Sequence, residues 1–444
     1  MTRRALLALS AGGLLPRLNG AESRAGLIIN SARPKDYEMK LEGFQDWITP
    51  VENFFVRCHH YVPEVKLPDW RLEIGGLVER PGAFSFDQLK DMPRTTVIGV
   101  LECAGNGRAF YEPHVPGMQW RYGGVGNGRW TGVRLRDVLA KAGVRDNAKL
   151  LLFDGADVPP GTMPDFQRTV PLAKAMHEDT LLAFEMNGQP LTADHGFPLR
   201  LIVPGWAGDS WVKWVTSIKA LDQEFDGFWM KTAYRHPPKP VAPGTAVPPS
   251  DMVPVTDLPL KSVIASPAAD WIRPEPARIS GAAWANGVEI TGVEVSTDGG
   301  ATWRAATLGK DRSRYAWRLW QLDWTPGEGK YELLARATDA AGNRQPLDPQ
   351  WNPSGYLWNV ARRQIVVSKD PAPRPAPAPP PPVDAPSGYR TACHGCHGDD
   401  MVQMQKLTPP QWDRELKKME TWGAPIKPEE RDAILKYLSD RYKP

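Results

Sequence analysis

Near its C-terminus the chain reads Cys393-His394-Gly395-Cys396-His397. Two thiols one turn apart can form thioethers to the two vinyl groups of one haem, and the adjacent histidine then ligates the iron. The spacing therefore predicts a haem c attached through Cys393 and Cys396, with His397 on the iron. A thioredoxin-like dithiol needs a βαβ frame, and a zinc site needs a second ligand pair nearby. Neither is present: the remaining cysteines, Cys58 and Cys103, lie hundreds of residues upstream. A haem c moves one electron at a time, so the region before it is expected to donate or accept electrons.

Cys103 is the second thiol placed for chemistry. It follows the strand-like run Val97–Glu102 and opens the loop Ala104-Gly105-Asn106-Gly107, with Arg108 next. Taken alone it is a buried spectator, a nucleophile without a histidine close in sequence, or a thiolate ligand to a soft or redox metal. His59-His60 beside Cys58 has no further ligand at hand for zinc or copper. The cluster Gly123–Gly128 lacks the spacing and following helix of a dinucleotide loop.

The run Leu101–Arg108 resembles the molybdenum-ligand loop of the sulfite oxidase family. The likeness continues through Asn53–His59, Leu181–Leu191, Asp194–Arg200, Trp211–Trp214, Ser296–Gly300 and Trp317–Trp320, covering residues 30–368 in order. It implies an α+β catalytic domain holding a molybdopterin cofactor and an immunoglobulin-like β-sandwich that mediates dimerisation. It also implies Cys103 as the thiolate on molybdenum. Phe55, Arg57, His59, Asp157, His195, Arg200, Trp211 and Lys213 are implied as cofactor contacts, and Arg57, Arg108, Trp120 and Tyr234 as residues of the substrate pocket and the proton and electron path. Convergent cations in a partly dry pocket are what an oxyanion substrate requires. Two positions depart from the family pattern. Cys58 stands where asparagine is usual, and a packing role is expected for it. Ser354 stands where the animal enzymes carry a further pocket arginine.

The elements that must position these residues divide the chain. Residues 25–250 mix short strand-like runs, such as Leu150–Phe153, with the helical pattern Leu135–Gly143, and residues 251–369 give alternating runs separated by Gly and Asp turns, as in a sandwich. Residues 370–387 form a Pro/Ala tract, a semi-rigid spacer on the order of 50 Å at about 3.1 Å per residue. Residues 388–444 are helical and resemble a small all-α class I cytochrome c domain. That resemblance implies a methionine as sixth haem ligand, with Met419 best placed and Met401 and Met404 as rivals.

At the other end, Arg3-Arg4 before a short apolar run predicts a twin-arginine export signal over residues 1–24, and with it a periplasmic location. A net charge of +3 gives no ground for nucleic-acid or membrane binding. The expectation is a homodimeric periplasmic sulfite dehydrogenase that passes electrons through its own haem c to a soluble or membrane-linked cytochrome c. The alternatives are a sulfane-sulfur dehydrogenase or S-oxide reductase of the same family, and a non-catalytic electron-transfer protein.

Overall fold

A computed structural model describes residues 26–373 and 385–444. The arginine pair near the N-terminus and most of the Pro/Ala tract lie outside these residues. The first region is mainly β rather than evenly α+β: its α-helices are short, the longest being Leu135–Ala142 of 8 residues, ended by Gly143 at φ +70°. Strands win here because most apolar runs are short or alternate, and the sheets bury them on each other.

One five-stranded sheet carries the site. Arg94–Glu102 pairs antiparallel with Val125–Arg134, which pairs with Leu181–Met186, and that strand also holds Gln189–Pro190 and Arg200–Ile202. A second five-stranded sheet is ordered Gly82–Phe84, Leu72–Gly76, Val215–Leu221, Leu150–Gly155 and Arg168–Pro171. A three-stranded sheet, Leu27–Ser31, Asp36–Met39 and Val56–Arg57, brings Asp36 opposite Arg57. The Gly123–Gly128 cluster runs into a strand, since Val125–Arg134 is paired along its length with Arg94–Glu102 in the register Glu102↔Val125.

The second region is a sandwich of a four-stranded and a five-stranded sheet. Its strands Ile290–Ser296, Arg318–Trp324 and Gly329–Asp339 fall on the alternating runs seen in the sequence. The two regions interlock across residue 250: Arg235–His236 pairs with Val253–Pro254, and Val100 N–H donates to Tyr315 O at 2.8 Å.

Four helices close the chain: Ser387–Cys393, Asp399–Gln403, Pro409–Thr421 and Pro428–Arg441. Thr408 caps the third in a capping box with Gln411, and Pro stands at the first turn of the third and fourth. Tyr389, Leu407, Trp412, Leu416, Ile434 and Leu438 form their own small core. This unit sits against the first region. Gly117 N–H donates to Gln405 Oε1 at 2.9 Å, Tyr61 Oη to Cys396 O at 3.1 Å and Thr162 Oγ1 to Thr421 O at 2.9 Å. Trp422 packs edge-on to Phe228 at 5.5 Å. Among the described residues no helix is long and apolar enough to cross a membrane.

Candidate active site

The strand Arg94–Glu102 delivers Cys103 into a tight turn. Cys103 N–H donates to Gly124 O at 2.8 Å, and Asn106 N–H donates back to Cys103 O at 2.9 Å. The thiol lies at the junction of two cavities, both lined by Arg57, His59, Cys103 and Tyr234.

The inner cavity is lined further by Phe55, Cys58, Asp157, His195, Arg200, Trp211 and Lys213. Its walls are short of negative charge. Asp157 is held by His60 at 3.0 Å, Asp194 by Lys35 at 2.7 Å and Asp209 by Arg168. Arg200 donates to His195 O at 3.1 Å, but among the described residues it has no carboxylate partner and its buried Nε has no acceptor. Burial pushes Arg200 down to about 9, lowers Lys213, and lowers His195 to about 3 with help from Arg200 and Lys213. Cations driven toward neutrality by desolvation gain most from an anion placed among them. The cationic residues present therefore fit an anionic, phosphate-bearing group, and Cys103 lies in the lining of the same cavity.

Cys58 has more than a packing role: its Sγ accepts from Lys213 Nζ at 3.1 Å, and it lines the inner cavity. Trp120 belongs to the outer cavity, packing edge-on to Phe55 at 6.1 Å. Asp157 lines the inner cavity while its Oδ2 is hydrogen-bonded to His60 Nδ1 at 3.0 Å.

His195 makes the cavity's acid sensitivity measurable. Its folded value lies below its unfolded one, so the native state binds fewer protons between about pH 6.5 and 3, and stability falls as pH falls through that window. In protein prepared without cofactor, lowering the pH from 7 to 5 is expected to cost about 2 kcal/mol through this group, at 1.36 kcal/mol per pH unit. His195→Gln removes that share of the slope. Urea midpoints at both pH values check it, and equal slopes in the two proteins would refute it.

The outer cavity, about 430 Å³, is lined on one side by Arg57, His59, Cys103, Arg108, Trp120, Tyr234, Ser354 and Tyr356. Arg108 fills a slot made by three glycines, where a Cβ at 105, 117 or 355 would come within 2.8–2.9 Å of its side chain. Its guanidinium donates to Met118 O and Ser354 O, each at 3.1 Å, and lies over the Tyr356 ring at 4.9 Å. Arg57 instead shares its charge with buried Asp36 at 3.0 Å. Burial pushes Asp36 up to about 6 against the pull of that arginine. His59 Nε2 and Tyr234 Oη are hydrogen-bonded at 2.6 Å. Burial keeps His59 neutral and Tyr234 protonated, and Tyr234 holds a left-handed backbone at φ +52°. Such a conformation costs a bulky residue about 1 kcal/mol or more, and it clusters at functional sites. Asp36 and Tyr356 were not apparent in the sequence, and only the cross-strand pairing of residues 36 and 57 could have pointed to Asp36.

The opposite wall of this cavity comes from the C-terminal helices: Cys393, Cys396, His397, Met401 and Met419, among apolar Val402, Trp412, Leu416 and Leu438. Met404 is not in that wall but packs toward the catalytic core. His397 Nδ1 lies 3.1 Å from Gly398 O. Donation to that carbonyl leaves Nε2 bare for a metal. Among the described residues no cluster of His, Cys, Asp and Glu has the make-up of a separate metal site.

Residues 59–229 match the oxidoreductase molybdopterin binding domain, and residues 253–368 match the Mo-co oxidoreductase dimerisation domain. The mitochondrial sulfite oxidase of Macaca fascicularis is 37% identical over 359 residues, 76% of this chain and 65% of that protein. The sulfite oxidase of Gallus gallus is 33% identical over 350 residues, 75% of this chain and 76% of that protein. The chain thus spans about two thirds of the length of its mitochondrial relatives. Among solved structures, the sulfane dehydrogenase SoxCD from Paracoccus pantotrophus superposes with a TM-score of 0.65 at 31% identity, over 75% of this chain and 84% of that one. The dimerisation domain supports a homodimer. With a cysteine at the mouth of an anion-seeking cavity, this chain belongs to the sulfite oxidase family of molybdopterin oxidoreductases.

Proposed function

We propose that this chain is a periplasmic sulfite dehydrogenase: sulfite and water give sulfate, two protons and two electrons. The electrons leave singly through a haem c on Cys393, Cys396 and His397, with Met419 as sixth ligand, to an external cytochrome c. The observation that carries this reading is the shared cavity, walled on one side by Cys103, Arg57 and Arg108 and on the other by the Cys-x-x-Cys-His residues and Met419. The molybdopterin group, when bound, supplies two-electron oxygen-atom transfer.

The chain's own residues do the rest. Arg57 and Arg108 bind and orient the anion where low dielectric strengthens their charge. Tyr234, kept protonated by burial, hydrogen-bonds His59 and holds a proton beside Cys103. Phe55 and Trp120 exclude water. Arg200, Lys213 and His195 would hold the pterin and its phosphate.

The likeness to a sulfane dehydrogenase favours a second reading, oxidation of sulfane sulfur on a carrier protein. The C-terminal helices roof the outer cavity, which favours a small free anion. Turnover of free sulfite against a persulfide-bearing carrier separates the two readings. The haem assignment has its own test. The Cys393→Ala, Cys396→Ala double variant is expected to lose covalent haem on a denaturing gel while retaining about one molybdenum per chain, because both thioethers are removed and the molybdenum site draws on different residues. Haem staining that survives in this variant would overturn it. Molybdenum absent from wild-type protein that carries haem would favour a pure electron carrier.

A further inference from the structure

Glu102 directly precedes Cys103 and is buried, yet neither the pocket nor the proposed reaction uses it. Its Oε1 accepts from Lys261 Nζ at 2.6 Å and from Asn106 Nδ2 at 2.9 Å, and its Oε2 accepts from Trp284 Nε1 at 2.8 Å. Lys261 and Trp284 face each other in the register of two sandwich strands, Lys261–Ser266 and Ala277–Trp284. Asn106 returns the constraint to the loop. Its Oδ1 accepts from Gly124 N–H at 3.0 Å, while Gly124 O accepts from Cys103 N–H at 2.8 Å. Both backbone flanks of Cys103 are thereby tied to one carboxylate.

Glu102 and Lys261 are 3% and 2% exposed, so their pairing takes place out of water. A buried ion pair adds little net stability over an apolar replacement, and its best use is to fix one arrangement. We propose that Lys261 and Trp284 are positioning residues for the Cys103 thiol: the sandwich domain, through Glu102, sets the direction in which that sulfur faces the cavity. The inference rests on Cys103 being the metal ligand. It makes the dimerisation domain part of the catalytic apparatus.

Three variants of the full-length holoenzyme test it. Trp284→Phe removes one donor and keeps the ring. Lys261→Met leaves Glu102 without its counter-charge. The Glu102→Gln, Lys261→Gln double variant replaces the ion pair with neutral hydrogen-bonded amides. In the first two, the sulfur-to-molybdenum charge-transfer band is expected to shift and amide exchange over residues 103–108 to quicken. Their kcat should fall about tenfold with KM held, the scale seen when a group supporting a metal ligand is lost. The double variant is expected to restore the wild-type band and exchange. A lower melting temperature with band and exchange unmoved would reduce Lys261 and Trp284 to structural residues and overturn the proposal. If Lys261→Met does not fold, Trp284→Phe alone decides. Cys103→Ser is the control: should it keep the charge-transfer band, the metal-ligand reading itself fails. Should it lose the band while the other variants keep it, only the positioning role fails.

Discussion

Cys103→Ser is expected to leave the haem fully reducible by dithionite and unresponsive to sulfite. The turn around Cys103 is held by main-chain hydrogen bonds to Gly124 and Asn106, and none of these involves the sulfur. Serine therefore keeps the fold and removes only the thiolate. A hydroxyl is a far poorer ligand for a soft redox metal. Loss of groups that merely support a ligand costs 10–100-fold, so loss of the ligand itself is expected to exceed about 100-fold in sulfite turnover. Sulfite:cytochrome c assays beside molybdenum analysis check this, and turnover within tenfold of wild type would contradict it.

Arg108→Met is expected to cut kcat/KM for sulfite by about 10–100-fold, the scale of losing a hydrogen bond worth about 1.5–3 kcal/mol to a charged group. Arg108 is the stronger choice over Arg57 because of what surrounds it. Arg57 shares its charge with Asp36, whereas among the described residues Arg108 meets carbonyls, a ring and the cavity and no carboxylate. Sulfite is anionic before and during reaction, so KM is expected to rise more than kcat falls. Arg108→Lys restores charge without the planar fork and recovers only part of the loss. Michaelis parameters for the three proteins check the order, and an unchanged KM in Arg108→Met would remove Arg108 from the substrate site.

How much of this was legible in the sequence depends on chain separation. Cys103, Arg108, Arg57 and His59 sit in local runs that resemble the motifs of the sulfite oxidase family, and the two inner-cavity cations, Arg200 and Lys213, follow in short motifs of the same resemblance. All of them line one or both cavities. The Leu135–Gly143 helix and the sandwich strands were readable because period and turn residues agree. Asp36 became visible only through strand pairing, and Tyr356 only through its place against Arg108 and in the cavity wall. Lys261 and Trp284 reach Glu102 across 159 and 182 residues of chain. No local pattern carries such contacts, because a buried lysine looks in sequence like any surface lysine. The α+β expectation overweighted helices because a strand buried on both faces loses the alternation that marks it.

Sulfite oxidation at the Cys103 site is proposed to drain into a haem on the same chain. Its most direct measurement is stopped-flow mixing of oxidised, full-length wild-type holoenzyme with excess sulfite, anaerobically and without external cytochrome, while haem absorbance is followed. The haem is expected to be reduced in a first-order phase at least as fast as steady-state turnover, with no such phase in Cys103→Ser. A wild-type haem that stays oxidised, in protein with a full complement of molybdenum and haem, would contradict it.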